Sequence, residues 1–197
     1  MAKNRRSASK RGQPGRLRIV AGNWRSRRLD IAAVPGLRPT PERIRETLFN
    51  WLAPNIIGAH CLDLFAGTGA LGLEALSRGA ASAVFVEKSA LAAAALRRGI
   101  EMLGAENAVV FEQDAFDYLR EAHDGPFDIV FLDPPFRDNA LAELCRLLAG
   151  SSLLAPGALV YLEDDRARIE PELPPGWRTL RARHAGQVRF SLLETNT

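Results

Sequence analysis

Cysteine, histidine and, over the first segment, acid are what this chain of 197 residues has least of. Its two cysteines, Cys61 and Cys145, lie far apart and share no spacing with a metal-ligand pattern. The expectation is two reduced thiols in a cytoplasmic protein, not a disulfide framework. His60, His123 and His184 are equally scattered, so no metal site is expected. No apolar run approaches the ~20 residues a membrane span needs, and no signal-peptide core follows Met1. No membrane partner is expected either. Asp and Glu are missing from residues 1–28, where ten of the 26 Lys and Arg are concentrated. The other 169 residues carry 16 basic against 23 acidic side chains, a net charge of −7.

A basic arm on an acidic body fits a nucleic-acid partner, because neutralising phosphates releases condensed counterions. A solvated tail that aids solubility is the plainer alternative. The arm is rich in Arg and Ser like a mitochondrial presequence, but MAKNRRSASKRGQPG has no apolar face. Residues 1–15 hold no large apolar side chain after Met1, so a disordered arm is expected there. The chain as a whole, 47% hydrophobic and 25% charged, has ordinary globular composition. Its length suits one well-buried domain with a small appendage.

RLRIVAG and RRLDIAA flank Gly22-Asn23-Trp24 and read as a small hairpin. LRPTPERIRETLFNWL reads as a helix with Thr40 as cap, Pro41 at the first helical position and Glu42 at the positive end of the dipole. Ile44, Leu48, Trp51 and Leu52 share one face, as plain core packing would have it. From His60 onward strands alternate with helices. The strands are CLDLF, AVFVE, AVVFE, FDIVFLD and ALVYLE; the helices cover Ala70–Ser77, Ser89 to Leu103, Ala115–Glu121 and Ala140–Leu148. WRTLRARHAG and QVRFSLLE form a terminal hairpin. Strands apolar on both faces and alternating with helices predict an α/β fold with an open parallel sheet. The organisation expected is an arm over 1–15, a hairpin-and-helix extension over 16–55 and a catalytic domain over 56–197.

DLFAGTGALGLEALSRG falls at the carboxyl end of the first of these strands, where doubly wound folds keep their ligand. Gly67, Gly69 and Gly72 match G-x-G-x-x-G, and Glu87 follows Gly67 by 20 residues. Taken alone, the pattern fits a dinucleotide site with Glu87 on ribose hydroxyls. Asp63, four residues before Gly67, would repel a pyrophosphate there. It suits a ligand with a cationic amino group and a sulfonium, which is S-adenosylmethionine. Glu87 then accepts from both ribose hydroxyls. Asp114 is placed to accept from the adenine amine, with Ala115 offering a backbone N–H; a plain helix cap is as natural for Asp114. Phe65, Thr68 and Lys88 complete the candidate cofactor site.

FDIVFLDPPF ends a buried strand on a carboxylate, two prolines and a ring. A methyl acceptor that is an exocyclic amine has its lone pair conjugated into the base. As that nitrogen attacks it becomes tetrahedral and positive, so acceptors aimed at its hydrogens bind the transition state better than the substrate. Asp133 is one such acceptor, and the Pro134 carbonyl is a second. Pro134 and Pro135 fix the backbone so that these oxygens are held in advance. Phe136 offers a ring to stack on the base. If the fourth strand lies beside the first, Asp133 faces the same crevice as the glycine loop. Asp-Pro-Pro as a mere strand end is the alternative; two motifs at strand ends together speak for the site and for S-adenosylmethionine over a nicotinamide cofactor.

Asp/Asn-Pro-Pro-Tyr/Phe resembles the motif of methyltransferases acting on adenine N6, cytosine N4 or guanine N2. RIVAGNWRSRRL, LRPTPERIRETLFNWL, DLFAGTGALGLEALSRG and FDIVFLDPPF, in that order, resemble the bacterial ribosomal RNA small-subunit methyltransferase D family over roughly Arg16 to Leu193. The resemblance implies a Rossmann-like S-adenosylmethionine-dependent methyltransferase fold: a mostly parallel seven-stranded sheet with a C-terminal antiparallel hairpin and the small N-terminal extension. It implies methylation of guanine N2 in small-subunit (16S) ribosomal RNA, on an assembled or assembling particle, by a cytoplasmic enzyme expected to be a monomer. Family members more often carry Gln where this chain has Asn23 and Thr where it has Pro41, which leaves the role of Asn23 open. By the same analogy Arg38 and Thr40 belong at the mouth of the cofactor site. Arg43, with Arg45, reads equally as a solvated helix face, and Arg25, Arg27 and Arg28 of the hairpin would grip the RNA backbone. Alternatives are a DNA adenine-N6 or cytosine-N4 methyltransferase, a non-catalytic RNA-binding assembly factor, and an oxidoreductase, which would lack an acid/base His or Tyr near the glycines.

Overall fold

Short apolar runs separated by Gly and polar clusters favour strands, and in a computed structural model of the chain they assemble into a two-stranded and a seven-stranded sheet. The structure describes residues 15–35, 37, 39–121, 124–135 and 140–196. The elements are β1 (Arg16–Arg18), β2 (Arg28–Asp30), α1 (Glu42–Leu52), β3 (His60–Asp63), α2 (Ala70–Ser77), β4 (Ser82–Val86), α3 (Ala90–Leu103) and β5 (Ala108–Phe111). They continue with α4 (Ala115–Glu121), β6 (Phe127–Leu132), α5 (Leu141–Ala149), β7 (Leu154–Asp165), β8 (Arg178–Ala185) and β9 (Val188–Glu194). β1 and β2 form an antiparallel pair, as the sequence pattern predicts. The other seven strands form one sheet in the order β5-β4-β3-β6-β7-β9-β8. β3, β4, β5, β6 and β7 run parallel, and β9 and β8 return antiparallel.

The two central strands carry the site, and their register fixes it. β3 and β6 are neighbours, with Cys61 opposite Ile129 and Asp63 opposite Phe131. Strands buried on both faces read as continuous apolar runs. Accordingly the two sides of the sheet are covered by two core clusters. One joins Cys61, Phe131 and Tyr161 to α1, α2 and α3; the other joins Leu62, Val130 and Val160 to Tyr118 of α4 and Leu144 of α5. Burial of these side chains is the main stabilising term.

The segment before β3 is built into the first cluster, through Leu17, Ile19, Leu29, Ile44, Leu48 and Leu52. Its turn is clamped to the end of α2. The Asn23 amide donates to the Ser77 carbonyl at 2.7 Å, and the Trp24 amide to the Ser77 hydroxyl at 3.0 Å. Gly22 has a positive φ of 81°, and a Cβ there would stand 1.8 Å from the Ser77 carbonyl oxygen. Only glycine allows that approach.

Glu74 of α2 is the hub of this clamp. Its carboxylate accepts from the amides of Val20 (2.9 Å) and Ala21 (3.0 Å) and from Arg45 (3.1 Å) and Arg78 (2.9 Å). Arg45 is 1% exposed, so the solvated face considered for it is wrong. Four donors compensate the buried carboxylate, which is the condition for keeping such a charge inside. Trp51 also leaves the apolar face only in part: it is half-buried and stacks on Phe190 with ring centroids 5.3 Å apart.

Candidate active site

Four neighbouring strands carry acids toward their carboxyl ends: Asp63 on β3, Glu87 just after β4, Asp133 just after β6 and Glu163 on β7. Leu132 lies opposite Leu162, so Asp133 and Glu163 follow on adjacent strands. Side chains repeat every second residue along a strand, which puts Asp133 on the face of Phe131 and Glu163 on that of Tyr161. This is the face covered by α1 and α2.

The glycine loop between β3 and α2 is tied down by two of these acids. The Gly67 amide donates to Glu87 Oε2 at 2.8 Å, while the Ser89 amide donates to Oε1 at 2.7 Å. The Gly72 amide donates to Asp63 Oδ2 at 3.1 Å. Asp63 thus holds the loop from below. Gly69 has a left-handed φ of 74° at the start of α2, where a side chain would be strained. Gly72 serves packing instead: a Cβ there would meet the Phe85 ring at 2.3 Å. Phe65 and Thr68 are half-buried in the same loop, and Leu37 lies over Gly67.

Beyond β5, Asp114 caps the following turn, accepting from the Phe116 amide at 2.9 Å, with Ala115 buried behind it. The exposed Lys88 ammonium stands 3.9 Å from Asp114 Oδ2. Glu87, Asp114 and the loop amides therefore share the crevice at the carboxyl end of the parallel strands.

Thr40 does not cap α1. The helix starts at Glu42 after Pro41 without a side-chain cap. The Thr40 hydroxyl instead donates to Asp133 Oδ2, long at 3.4 Å, and its carbonyl accepts from Arg45 Nε at 3.1 Å. A chain of contacts thus runs from Glu74 through Arg45 and Thr40 to Asp133. Pro134 is buried and Pro135 exposed, beside a cleft of about 180 Å³ that reaches Leu141 and Pro171.

The acids are crowded and poorly hydrated. Burial pushes Asp63 up to about 7, with Asp133 and Glu87 adding to it against the bonds from Gly72 and Phe65. Burial likewise pushes Asp133 up to about 6, against the Thr40 bond. Glu163, 5% exposed, goes up to about 8 through burial and the Asp133 charge, against a 2.7 Å bond from the Tyr161 hydroxyl. Several raised carboxyls in one crevice are a signature of a functional site, and a cationic ligand would relieve them. The acids supply acceptors for hydroxyls and for a positive centre, while Lys88 stands beside Asp114 and Arg168 lines the cleft at Pro134.

Other expectations fall elsewhere. Arg38 and Phe136 lie outside the described residues, as does all of the arm except Gly15. Arg43 is exposed on α1. Arg27 donates to the Met102 carbonyl at 3.1 Å, near the last turn of α3, and Arg25 lies in the turn clamped to Ser77. Both helices begin at the crevice and end away from it, so Arg25 and Arg27 sit at the amino end of the parallel strands. Arg28 is in β2, opposite Arg18. Sequence reasoning missed Glu163, although it ends an apolar strand as Asp63 and Asp133 do.

Parallel strands with helices on both faces, an antiparallel pair closing one edge and an acid-lined glycine loop define the Rossmann-like, S-adenosylmethionine-dependent methyltransferase fold. Residues 17–194 match the family model described as Conserved hypothetical protein 95. The chain belongs to that family, together with proteins named Ribosomal RNA small subunit methyltransferase D. The one from Escherichia coli K12 is 46% identical over 180 residues, covering 91% of this chain and 90% of its own. The Haemophilus influenzae protein of that name is 42% identical over 185 residues, covering 91% and 94%. The solved structure named "Putative methyltransferase yhhF from Escherichia coli" superposes with a TM-score of 0.86 at 43% identity, covering 92% of this chain and 99% of that one.

Proposed function

We propose that the protein methylates the exocyclic N2 amine of a guanine in small-subunit ribosomal RNA, on an assembled or assembling particle in the cytoplasm. The observation that carries the chemistry is the acceptor pair after β6, Asp133 and the Pro134 carbonyl, one strand from the acid-lined glycine loop. The names of the relatives support ribosomal RNA as substrate, and the resemblance of the motifs supports guanine N2.

S-adenosylmethionine supplies an electrophilic methyl group on a sulfonium. Glu87 and Asp114 would hold its ribose and adenine, and the loop from Phe65 to Gly69 would pass close beneath it. The protein's own work is on the amine. Asp133 and the Pro134 carbonyl accept from its two hydrogens and draw the lone pair out of the ring. They strengthen as the nitrogen becomes positive, so they favour the transition state. The Asp133 carboxylate then receives the proton that the new ammonium loses. Thr40 steadies that carboxylate, and alignment of amine and methyl provides the remainder. Phe136 would stack on the base, a role that rests on the sequence alone. The target must be unstacked to enter, so a loop nucleotide fits. Residues 56–197 act as the catalytic domain of a monomer, and residues 16–55 as its cover.

Nucleoside mass spectrometry of undermethylated small subunits incubated with the protein and S-adenosylmethionine tests this reading. N2-methylguanosine is expected. N6-methyladenosine or N4-methylcytosine would overturn the base, methylation of duplex DNA alone would overturn the substrate, and no S-adenosylmethionine binding in calorimetry would overturn the enzyme.

A further inference from the structure

β8, with the sequence RTLRARHA, is the outer strand of the sheet and contains three arginines, one histidine and no acid. Arg178 is paired with Glu194, at the end of β9. Arg181 and Arg183 are exposed, and neither has an ion-pair partner among the described residues. Their register is informative. Arg183 lies opposite Phe190, and Phe190 lies opposite Glu163 on β7. Arg181 lies opposite Leu192, which lies opposite Tyr161. Directly opposed residues share a face, so both arginines stand on the face that carries Glu163 and Asp133. From Asp133 the row runs across β7 and β9 to Arg183. Three strand spacings amount to ~14 Å; Phe190 between them is buried under Trp51, so an RNA strand joining the two ends passes outside Trp51.

An edge strand is also where charge guards against pairing with another sheet. That role asks for charge on either face and sets no relation to the site. Here two guanidinium groups with no acid paired to them among the described residues, one donating to the Leu180 carbonyl at 3.0 Å, share the face of the acceptor pair. The hairpin arginines Arg25 and Arg27 sit instead by the last turns of α2 and α3, at the amino end of the parallel strands.

We propose that Arg181 and Arg183 form a phosphate-binding track on the outer strand, gripping the RNA backbone next to the target nucleotide. The proposal rests on the reading that the substrate is RNA. The track fixes the strand while the crevice at Asp133 takes the base. Arginine suits this task, since its planar fork meets phosphate oxygens in pairs.

The test compares the wild type with Arg181→Thr/Arg183→Thr, threonine being at home in an exposed strand. Steady-state methylation of undermethylated small subunits and the salt dependence of RNA binding are measured together. KM for RNA should rise roughly threefold to tenfold, with kcat and S-adenosylmethionine affinity unchanged. The slope of log affinity against log salt should fall by about 1 to 2, as for two lost phosphate contacts. Arg181→Lys/Arg183→Lys should recover most of the slope. Arg98→Gln/Arg146→Gln, which removes the same charge from exposed positions on α3 and α5, should leave it unchanged. Unchanged KM and slope in the threonine variant, or an equal loss in the α3/α5 variant, overturns the track. Arg181→Gln/Arg183→Gln serves if the threonine protein fails to fold. If the wild type does not methylate ribosomal RNA at all, it is the proposed function that fails; if it does and the variants match it, only the track fails.

Discussion

Replacing Arg45 by methionine should show how the N-terminal segment serves the site. Methionine fills much of the same volume and donates nothing. Arg45 donates to three acceptors: the buried Thr40 carbonyl at 3.1 Å, buried Glu74 Oε2 at 3.1 Å and the part-buried Arg18 carbonyl at 2.9 Å. Breaking one side of a buried ion pair costs about 3–5 kcal/mol, because a charge is left without its partner. Glu74 keeps Arg78 and the amides of Val20 and Ala21, which places the loss at the lower end. Two orphaned carbonyls add to it, at about 1 kcal/mol or more each. The expected loss is therefore about 5 kcal/mol, or a fall in Tm of about 10–20 °C for a domain of this size. Urea unfolding followed by circular dichroism gives the free energy. Methyl transfer gives a second readout, since freeing the Thr40 carbonyl loosens the hydroxyl that bonds Asp133. Turnover should drop several-fold while S-adenosylmethionine affinity holds. A stability loss below about 1 kcal/mol would refute the view that this pair clamps the cover to α2.

Asp133→Ala should lower kcat by about 10²–10³, as for loss of one preorganised hydrogen-bond partner, with cofactor binding retained in calorimetry; near-normal turnover would end the role assigned to it. The raised acids set a pH dependence whose sign is fixed. Asp63 titrates at about 7 in the fold against ~3.9 in an unfolded chain. Its contribution to stability is complete below about 4 and is lost as pH rises through about 7. A cationic cofactor prefers the ionised crevice, so its affinity should rise over the same window. The gap between urea midpoints with and without S-adenosylmethionine should widen from pH 5 to pH 8; a constant gap would contradict this. Glu163→Gln should flatten the loss of stability that wild type shows as pH approaches about 8, and an unaltered pH profile would show that this carboxyl does not titrate there. Gly22→Ala should cost about 2–4 kcal/mol, because its Cβ would collide with the Ser77 carbonyl; thermal melting reads it directly, and a neutral change would place the turn elsewhere.

Two local patterns were enough to read the sheet and its ligand end. The alternation of apolar strands with helices sets β3 to β7, and Ser89 and Gly104 mark the limits of α3, since a cap hydroxyl and a left-handed glycine act within a few residues. Asp63, Glu87 and Asp133 stand at strand ends in the sequence and at one crevice in the fold, because parallel strands bring their carboxyl ends together. What only the tertiary structure decided depends on partners far along the chain. Thr40 looks like a cap until Asp133, 93 residues on, is found within reach of its hydroxyl. Arg45 looks solvated until Glu74 is placed beside it. The place of Arg25 and Arg27 is fixed only once Ser77 and Met102 hold their turn at the amino end of the parallel strands, and Arg181 and Arg183 look like plain surface until strand register aligns them with Asp133. Propensity and capping are local interactions that a sequence states outright; the environment of a charge is set by long-range packing, and so it appears only in the folded chain.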